Sequence, residues 1–226
     1  MTEAAGPVHE SPARPVSPEE YTREDDRLLQ DGVLAARTAV LSGGALSVGV
    51  SQREDSACIQ RARKMGIPVV RRSTGGLGLW HAPGDVVWSI VLPRAHPLVG
   101  HDFSRAYARL GLGVVRFLAA RNVQAKWQPP VGGPGEYCLL SGAGSVLAVN
   151  GRAAGGAAQH LTRQALLHHG VLPYRVDHSR LSDLFDLSAE LADRTLTSLD
   201  ELTHGAPAPE LATQLRLALA SVIGES

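Results

Sequence analysis

The stretch from Val69 to Leu92 (VVRRSTGGLGLWHAPGDVVWSIVL) limits the folds open to this chain more than any other. Apolar runs at its two ends read as strands. Between them lie two adjacent arginines, a Ser-Thr-Gly-Gly turn and a second turn at Gly84. Two strands flanking a glycine-rich, cationic hairpin suit an anionic group held against backbone N–H donors. Glycine lets the backbone approach closely, and arginine presents a planar donor fork. Such a hairpin needs a wall opposite it. Cys138 and the Gly-Arg-Ala-Ala-Gly-Gly run from Gly151 to Gly156 are placed to supply one.

The rest of the chain puts strands in the middle and helices around them. Met1 to Ser17 holds several prolines and little that is apolar, and reads as a disordered arm ahead of one domain over 18–226. Ser17-Pro18-Glu19-Glu20 is an N-cap, a first-turn proline and two acids on the helix dipole, starting a helix over 18–34 that buries Leu28, Leu29, Val33 and Leu34. The pattern predicts a strand over 45–50 and a helix over 51–65, capped by Ser51 and ended by Gly66. It predicts a helix over 104–120 and strands over 123–127, 137–140 and 145–149. Asn150-Gly151 is a hairpin signal, since both residues tolerate positive φ. Helices are expected over 179–185, 188–196 and 209–223. The fold class is α+β with a mostly antiparallel sheet.

Several residues offer chemistry, each beside a plainer reading. Arg71 and Arg72 suit an anion cradle, or are surface arginines on a solvated turn. His81 is a site residue or a core histidine that holds the hairpin. Cys138, after a Pro/Gly loop, is the one good nucleophile candidate, or a structural cysteine. Cys58 sits on a helix and reads as a small buried apolar residue. No serine stands in a Gly-x-Ser-x-Gly elbow. His168 and His169, being adjacent, point to different faces of any regular element, which argues against a metal pair.

Net charge is zero, with 22 basic and 22 acidic residues, so no general affinity for nucleic acid or an anionic membrane is implied. The acidic N-terminus and the lack of a long apolar segment lead to the expectation of a soluble, cytoplasmic protein.

Two blocks carry a resemblance. Arg71 to Asp85 resembles the Arg-Arg-x-Ser/Thr-Gly-Gly … His-x-x-Gly-Asp/Asn signature of the lipoate–protein ligase and octanoyltransferase family, relatives of biotin–protein ligase. Asn150 to Leu172 is similar to that family's second block, in the same order and at the same separation. The resemblance implies a class II aminoacyl-tRNA synthetase-like core, a central antiparallel sheet flanked by helices, with an acyl chain between sheet and glycine turn. It implies transfer of an octanoyl or lipoyl group to a lysine of a lipoyl domain, in a 2-oxoacid dehydrogenase complex or the H protein of glycine cleavage. The donor would be acyl carrier protein or another lipoylated protein. It marks Arg71, Arg72, Thr74, Gly75, Gly76, Gly78, His81, Gly151, Ala153, Gly155, Gly156 and Gln159 as substrate-binding positions, with no metal site. In one group of these transferases a cysteine precedes the second block, and Cys138 stands there.

The chain also departs from the pattern. The family's lysine, which polarises the acyl carbonyl or holds an adenylate phosphate, is Ala153 here. Gly144-Ser145 stands where an Asn-Asp pair is expected, Leu77 replaces a glycine, and Ala82 an aspartate. The chain has two lysines, Lys64 and Lys126. Three readings follow. One is a Cys138-dependent transferase that needs no cofactor. Another is a ligase using ATP and Mg²⁺ with a lysine from elsewhere. The third is a non-catalytic member that binds acyl groups or a lipoyl domain.

Overall fold

The computed structural model describes residues 15–100, 102–130, 132, 135–142 and 144–224. Most of the expected arm lies outside these residues. Its end does not: Pro15–Val16 (β1) pairs in parallel with Ala35–Leu41 (β2), and Val16 is buried against Tyr21 and Leu41. Helix α1 (Pro18–Asp31) begins as its sequence dictates, Ser17 Oγ accepting from the Glu20 N–H. It ends earlier than expected, at Gly32, whose φ of 65° a side chain would resist. Val33 is consequently exposed.

Strand β2 carries no alternation because it is buried on both faces. Ala35 lies with Leu28 and Leu29 of α1, while Ala36 joins the core on the other side. The sequence therefore shows no strand there. After β3 (Ala45–Val48), helix α2 spans Ala57–Lys64, with Ser56 at its N-cap and not Ser51. The intervening 49–56 segment is a loop held by Arg71.

Strands β4 (Val69–Arg71) and β5 (Leu79–His81) do not pair with each other. Both pair with β3, one parallel and one antiparallel, giving a three-stranded sheet in the order β4-β3-β5. The 72–78 segment is thus no hairpin but an arch over the end of β3. Strand β6 (Val86–Pro93) leaves for the main sheet. Helix α3 (Phe103–Ala119) and β7 (Lys126–Gln128) follow, then β8 (Val146–Val149), β9 (Arg152–Leu161) and β10 (Ala165–Leu172).

The main sheet has seven strands in the order β1-β2-β6-β10-β9-β8-β7, antiparallel except at β1-β2. Asn150 and Gly151, at φ 50° and 80°, close the β8–β9 hairpin as their sequence requires. Helices α4 (His178–Phe185), α5 (Ala189–Thr195), α6 (Leu199–Leu202) and α7 (Ala208–Gly224) complete the described chain. One sheet face packs Trp88, Ile90 and Leu166 under α3 and α7, and the other packs Val91 and Leu167 under α1. The expected α+β class is the one observed.

Candidate active site

A cavity of about 830 Å³ opens between the 72–78 arch, α1, α3 and the β9–β10 part of the main sheet. Its position follows from glycine. Gly49, at the end of β3, lies so close beneath the arch that a Cβ on it would meet Gly76 O at 2.2 Å. Val50 N–H donates to Thr74 O at 2.9 Å, fastening the arch to β3. On the opposite wall a Cβ on Gly156 would touch Leu139 at 2.8 Å, so only glycine lets β9 run beneath the Cys138 segment there.

The two adjacent arginines part company. Arg71 donates to the carbonyls of Gly49 and Gln52 and pairs with Glu54, outside the cavity. Its expected substrate role is not what its position supports. It splints the 49–54 loop. Arg72 turns inward and is buried. Its Nε and Nη2 donate to Gly75 O at 3.2 and 2.9 Å, Nη2 also to Leu77 O at 2.9 Å, and Nη1 to Ser47 Oγ at 3.3 Å. Burial pulls its pKa down, and the nearby Cys138 opposes that shift.

Cys138 reaches the same place from the other side. The 137–140 segment is a turn, not the expected strand: Leu140 and Ser141 N–H groups both donate to Tyr137 O. A single parallel bridge between Gly78 and Tyr137, with Cys138 N–H donating to Gly78 O at 2.8 Å, ties the turn to the arch. A Cβ built on Gly76 would lie 3.4 Å from Cys138 Sγ and 2.7 Å from Arg72 Nη2. Gly76, at φ 102°, leaves a gap that both the thiol and the guanidinium border.

His81 lines the cavity, with no hydrogen-bond partner for Nδ1. Burial first, then the charges of Arg72 and His169, hold its pKa down to about 3, so the ring is neutral at physiological pH. His169 also lines the cavity. Its Nδ1 meets Asp25 Oδ2 at 3.1 Å and its Nε2 meets Thr74 Oγ1 at 2.8 Å, while Asp25 Oδ1 accepts from Arg37 at 2.7 Å. Thr74 thus lies behind the wall and touches the cavity only through its bond to His169. The Asp25–His169 pair spans 144 positions, and no local signal in the sequence announces it. His168, its neighbour, faces the other way, packed against Trp88 and Tyr107. Among the described residues no group of three His, Cys, Asp or Glu side chains could hold a metal.

Of the remaining expected positions, Gly75, Gly156 and Gln159 line the cavity. Gly78, Gly151 and Gly155 do not. Gly78 packs beside Cys58 and Phe185, Gly151 makes the hairpin, and Gly155 lies under Val171 O. Cys58 is buried, as expected, and burial and Glu136 push its thiol up to about 11. Ala153 is buried beside Tyr137, Leu139 and Leu196, on a separate cavity of about 20 Å³. Arg152 faces away from it, paired with Glu201.

The Lipoyl protein ligase A/B catalytic domain family matches residues 42–219. The chain belongs to this family. Among its relatives, octanoyltransferase LipM of Oceanobacillus iheyensis is 32% identical over 148 residues, 64% of this chain and 54% of that protein. The enzyme of the same name from an Exiguobacterium species is 30% identical over 167 residues, 70% of this chain and 60% of that protein. The chain therefore spans little more than half the length of these relatives. In fold it is similar to a bipartite lipoate protein ligase of Thermoplasma acidophilum, with TM-score 0.68, 17% identity and coverage of 94% and 80% of the two chains. It is likewise similar to a lipoate-protein ligase A solved with ATP, with TM-score 0.64, 19% identity and coverage of 96% and 91%. No described helix is long and apolar enough to cross a membrane.

Proposed function

We propose that the chain transfers an octanoyl or lipoyl group to a lysine of a lipoyl domain through a thioester on Cys138. The observation that carries this reading is that Cys138 and Arg72 both border the Gly76 gap and line a cavity with an apolar wall from Val87, Tyr107, Leu112 and Trp127. In the first step the Cys138 sulfur attacks the carbonyl carbon of an acyl thioester. A new C–S bond forms, the donor's C–S bond breaks, and the donor thiol leaves with the proton that Cys138 gave up. In the second step a neutral lysine amine attacks, a C–N bond forms, and the amine proton ends on the released Cys138 sulfur. The thioester keeps the acyl group activated, so no nucleotide is consumed. His81, with its pKa near 3, is a weak base and serves as wall and hydrogen-bonding partner instead. The acyl donor is octanoyl-acyl carrier protein or another lipoylated protein, and the acceptor a lipoyl domain of a 2-oxoacid dehydrogenase complex or an H protein.

The ligase reading needs a charged group at position 153 to hold an adenylate phosphate. Alanine has none to offer, and the space beside it holds about one water. The residue at this position does not fit the nucleotide.

The test is incubation with octanoyl-acyl carrier protein followed by mass spectrometry. One octanoyl mass on Cys138 is expected in the wild type and none in Cys138→Ser. A wild type that stays unmodified, but still binds a lipoyl domain, would leave the non-catalytic reading in its place.

A further inference from the structure

We propose that Arg72 is the working cation of this site, supplying to Cys138 and to the acyl oxyanion the positive charge that a lysine at position 153 supplies in the family. The proposal rests on the thioester reading above and adds the group that makes the thiol reactive.

No lysine lines the cavity. Lys64 and Lys126 are both exposed, on α2 and on β7. Arg72 is the one Lys or Arg among the described lining residues. The other ionisable groups there are committed. Asp25 is held between Arg37 and His169, and His169 between Asp25 and Thr74. The Tyr107 hydroxyl donates to Ala157 O at 3.0 Å. His81 is neutral.

Arg72 is different in kind. It is 7% exposed, and no carboxylate among the described residues pairs with it. Its partners are two carbonyls and a hydroxyl, which take four bonds from five N–H donors and leave one N–H on Nη1 unassigned. A buried cation held only by neutral acceptors is costly. Those acceptors also fix its plane before any substrate arrives, which is the arrangement that stabilises charge developing during a reaction. The sulfur that completes it borders the same gap: a Cβ on Gly76 would lie 2.7 Å from Arg72 Nη2 and 3.4 Å from Cys138 Sγ. Arg72 stays protonated throughout. It accepts no proton and acts by charge alone, on the thiolate before attack and on the oxyanion after it.

The proposal is tested with Arg72→Gln and Arg72→Lys in two assays. The first is the rate of Cys138 alkylation by iodoacetamide at one fixed pH near neutrality, read by mass spectrometry at that residue. The sulfur attacks as an anion, which a neighbouring guanidinium attracts, so Arg72→Gln is expected to react about tenfold more slowly. The second is single-turnover acylation by an octanoyl thioester, where the loss is expected to be on the order of 10²–10³-fold. Arg72→Lys should recover most of both rates. Wild-type rates in a folded Arg72→Gln protein would overturn the proposal. So would Arg72→Lys failing as badly as Arg72→Gln, since shape and not charge would then be the requirement. If Arg72→Gln does not fold, the Arg72→Lys rates decide. Alkylation needs no acyl donor, so fast wild-type alkylation without any octanoyl adduct would count against the transfer reading and not against Arg72.

Discussion

Two cavities flank the 137–139 turn, and they have been treated oppositely. Leu139 belongs to both. On the side of Cys138 glycines, one buried cation and the apolar wall of Val87, Tyr107, Leu112 and Trp127 surround about 830 Å³ of open space. On the side of Tyr137 and Ala153 the space is filled by Trp80, Leu181 and Leu196, and about 20 Å³ remains. The family's lysine position lies on the closed side. Ala153 has little empty space beside it, because its neighbours fill that side, as close packing of a core demands. The open side has room for an acyl chain, and the closed side has room for about one water. Cys138 and Ala153 thus line different cavities, so a charge beside the thiol has to come from a residue of the open side.

The most severe way to break the open side is Gly76→Val. Its Cβ would strike Arg72 Nη2 at a positive φ that a β-branched residue resists. Acylation of Cys138 is expected to fall by about 10² or more, as misplaced reacting groups do. Single-turnover octanoylation measures it. Near-wild-type acylation in the Gly76→Val protein would mean that the gap is not where the groups meet.

The closed side is probed by Ala153→Lys. An extended ammonium chain has no room there, so a loss of roughly 1–3 kcal/mol is expected from overpacking, with more from burying the charge. Urea unfolding gives the magnitude. A gain of ATP-dependent lipoylation would instead show that the closed cavity opens for a nucleotide.

His168 points to the opposite sheet face from His169, against Trp88 and Tyr107. It is fully buried, neither ring nitrogen has a partner, and burial, then His169, drives its pKa down to about 3. A depressed basic pKa gives stability that is present above the unfolded value near 6.5 and lost as pH falls toward 3. Between pH 6.5 and 4.5 this one residue is expected to cost about 2–3 kcal/mol, since the unfolded chain takes up the proton and the folded one does not. His81, similarly depressed, adds to this fall, while Asp85, pushed up to about 7 by burial, opposes it. The contribution of His168 is accordingly the difference in slope between wild type and His168→Phe, measured by unfolding at a series of pH values. Parallel slopes would show that His168 titrates freely and is not sealed from solvent.

The smallest effect belongs to Gly151→Ala. Nothing lies within 4 Å of the added Cβ, but φ is 80°. A cost of about 1 kcal/mol in the β8–β9 hairpin, with unchanged octanoylation, is expected. A large loss of transfer would return Gly151 to the site.

Local chemistry wrote much of this into the residues. Ser17, Pro18 and Gly32 bracket α1, Asn150-Gly151 folds its hairpin, and the two glycine blocks announce the family, because caps, turns and close backbone approaches depend on residues within a few positions of one another. Burial on both sides hid β2, where no alternation remains to be read. The same local view cannot separate Arg71 from Arg72, two identical side chains in adjacent positions. Only the placement of β4 beside β3 sends one to the 49–54 loop and the other into the cavity. Nor can it join Asp25 to His169, or set Cys138 against Gly76, because those distances are fixed by how the arch, α1 and the main sheet stack. The residue types were chosen by the chain. Which of them share a cavity was chosen by packing.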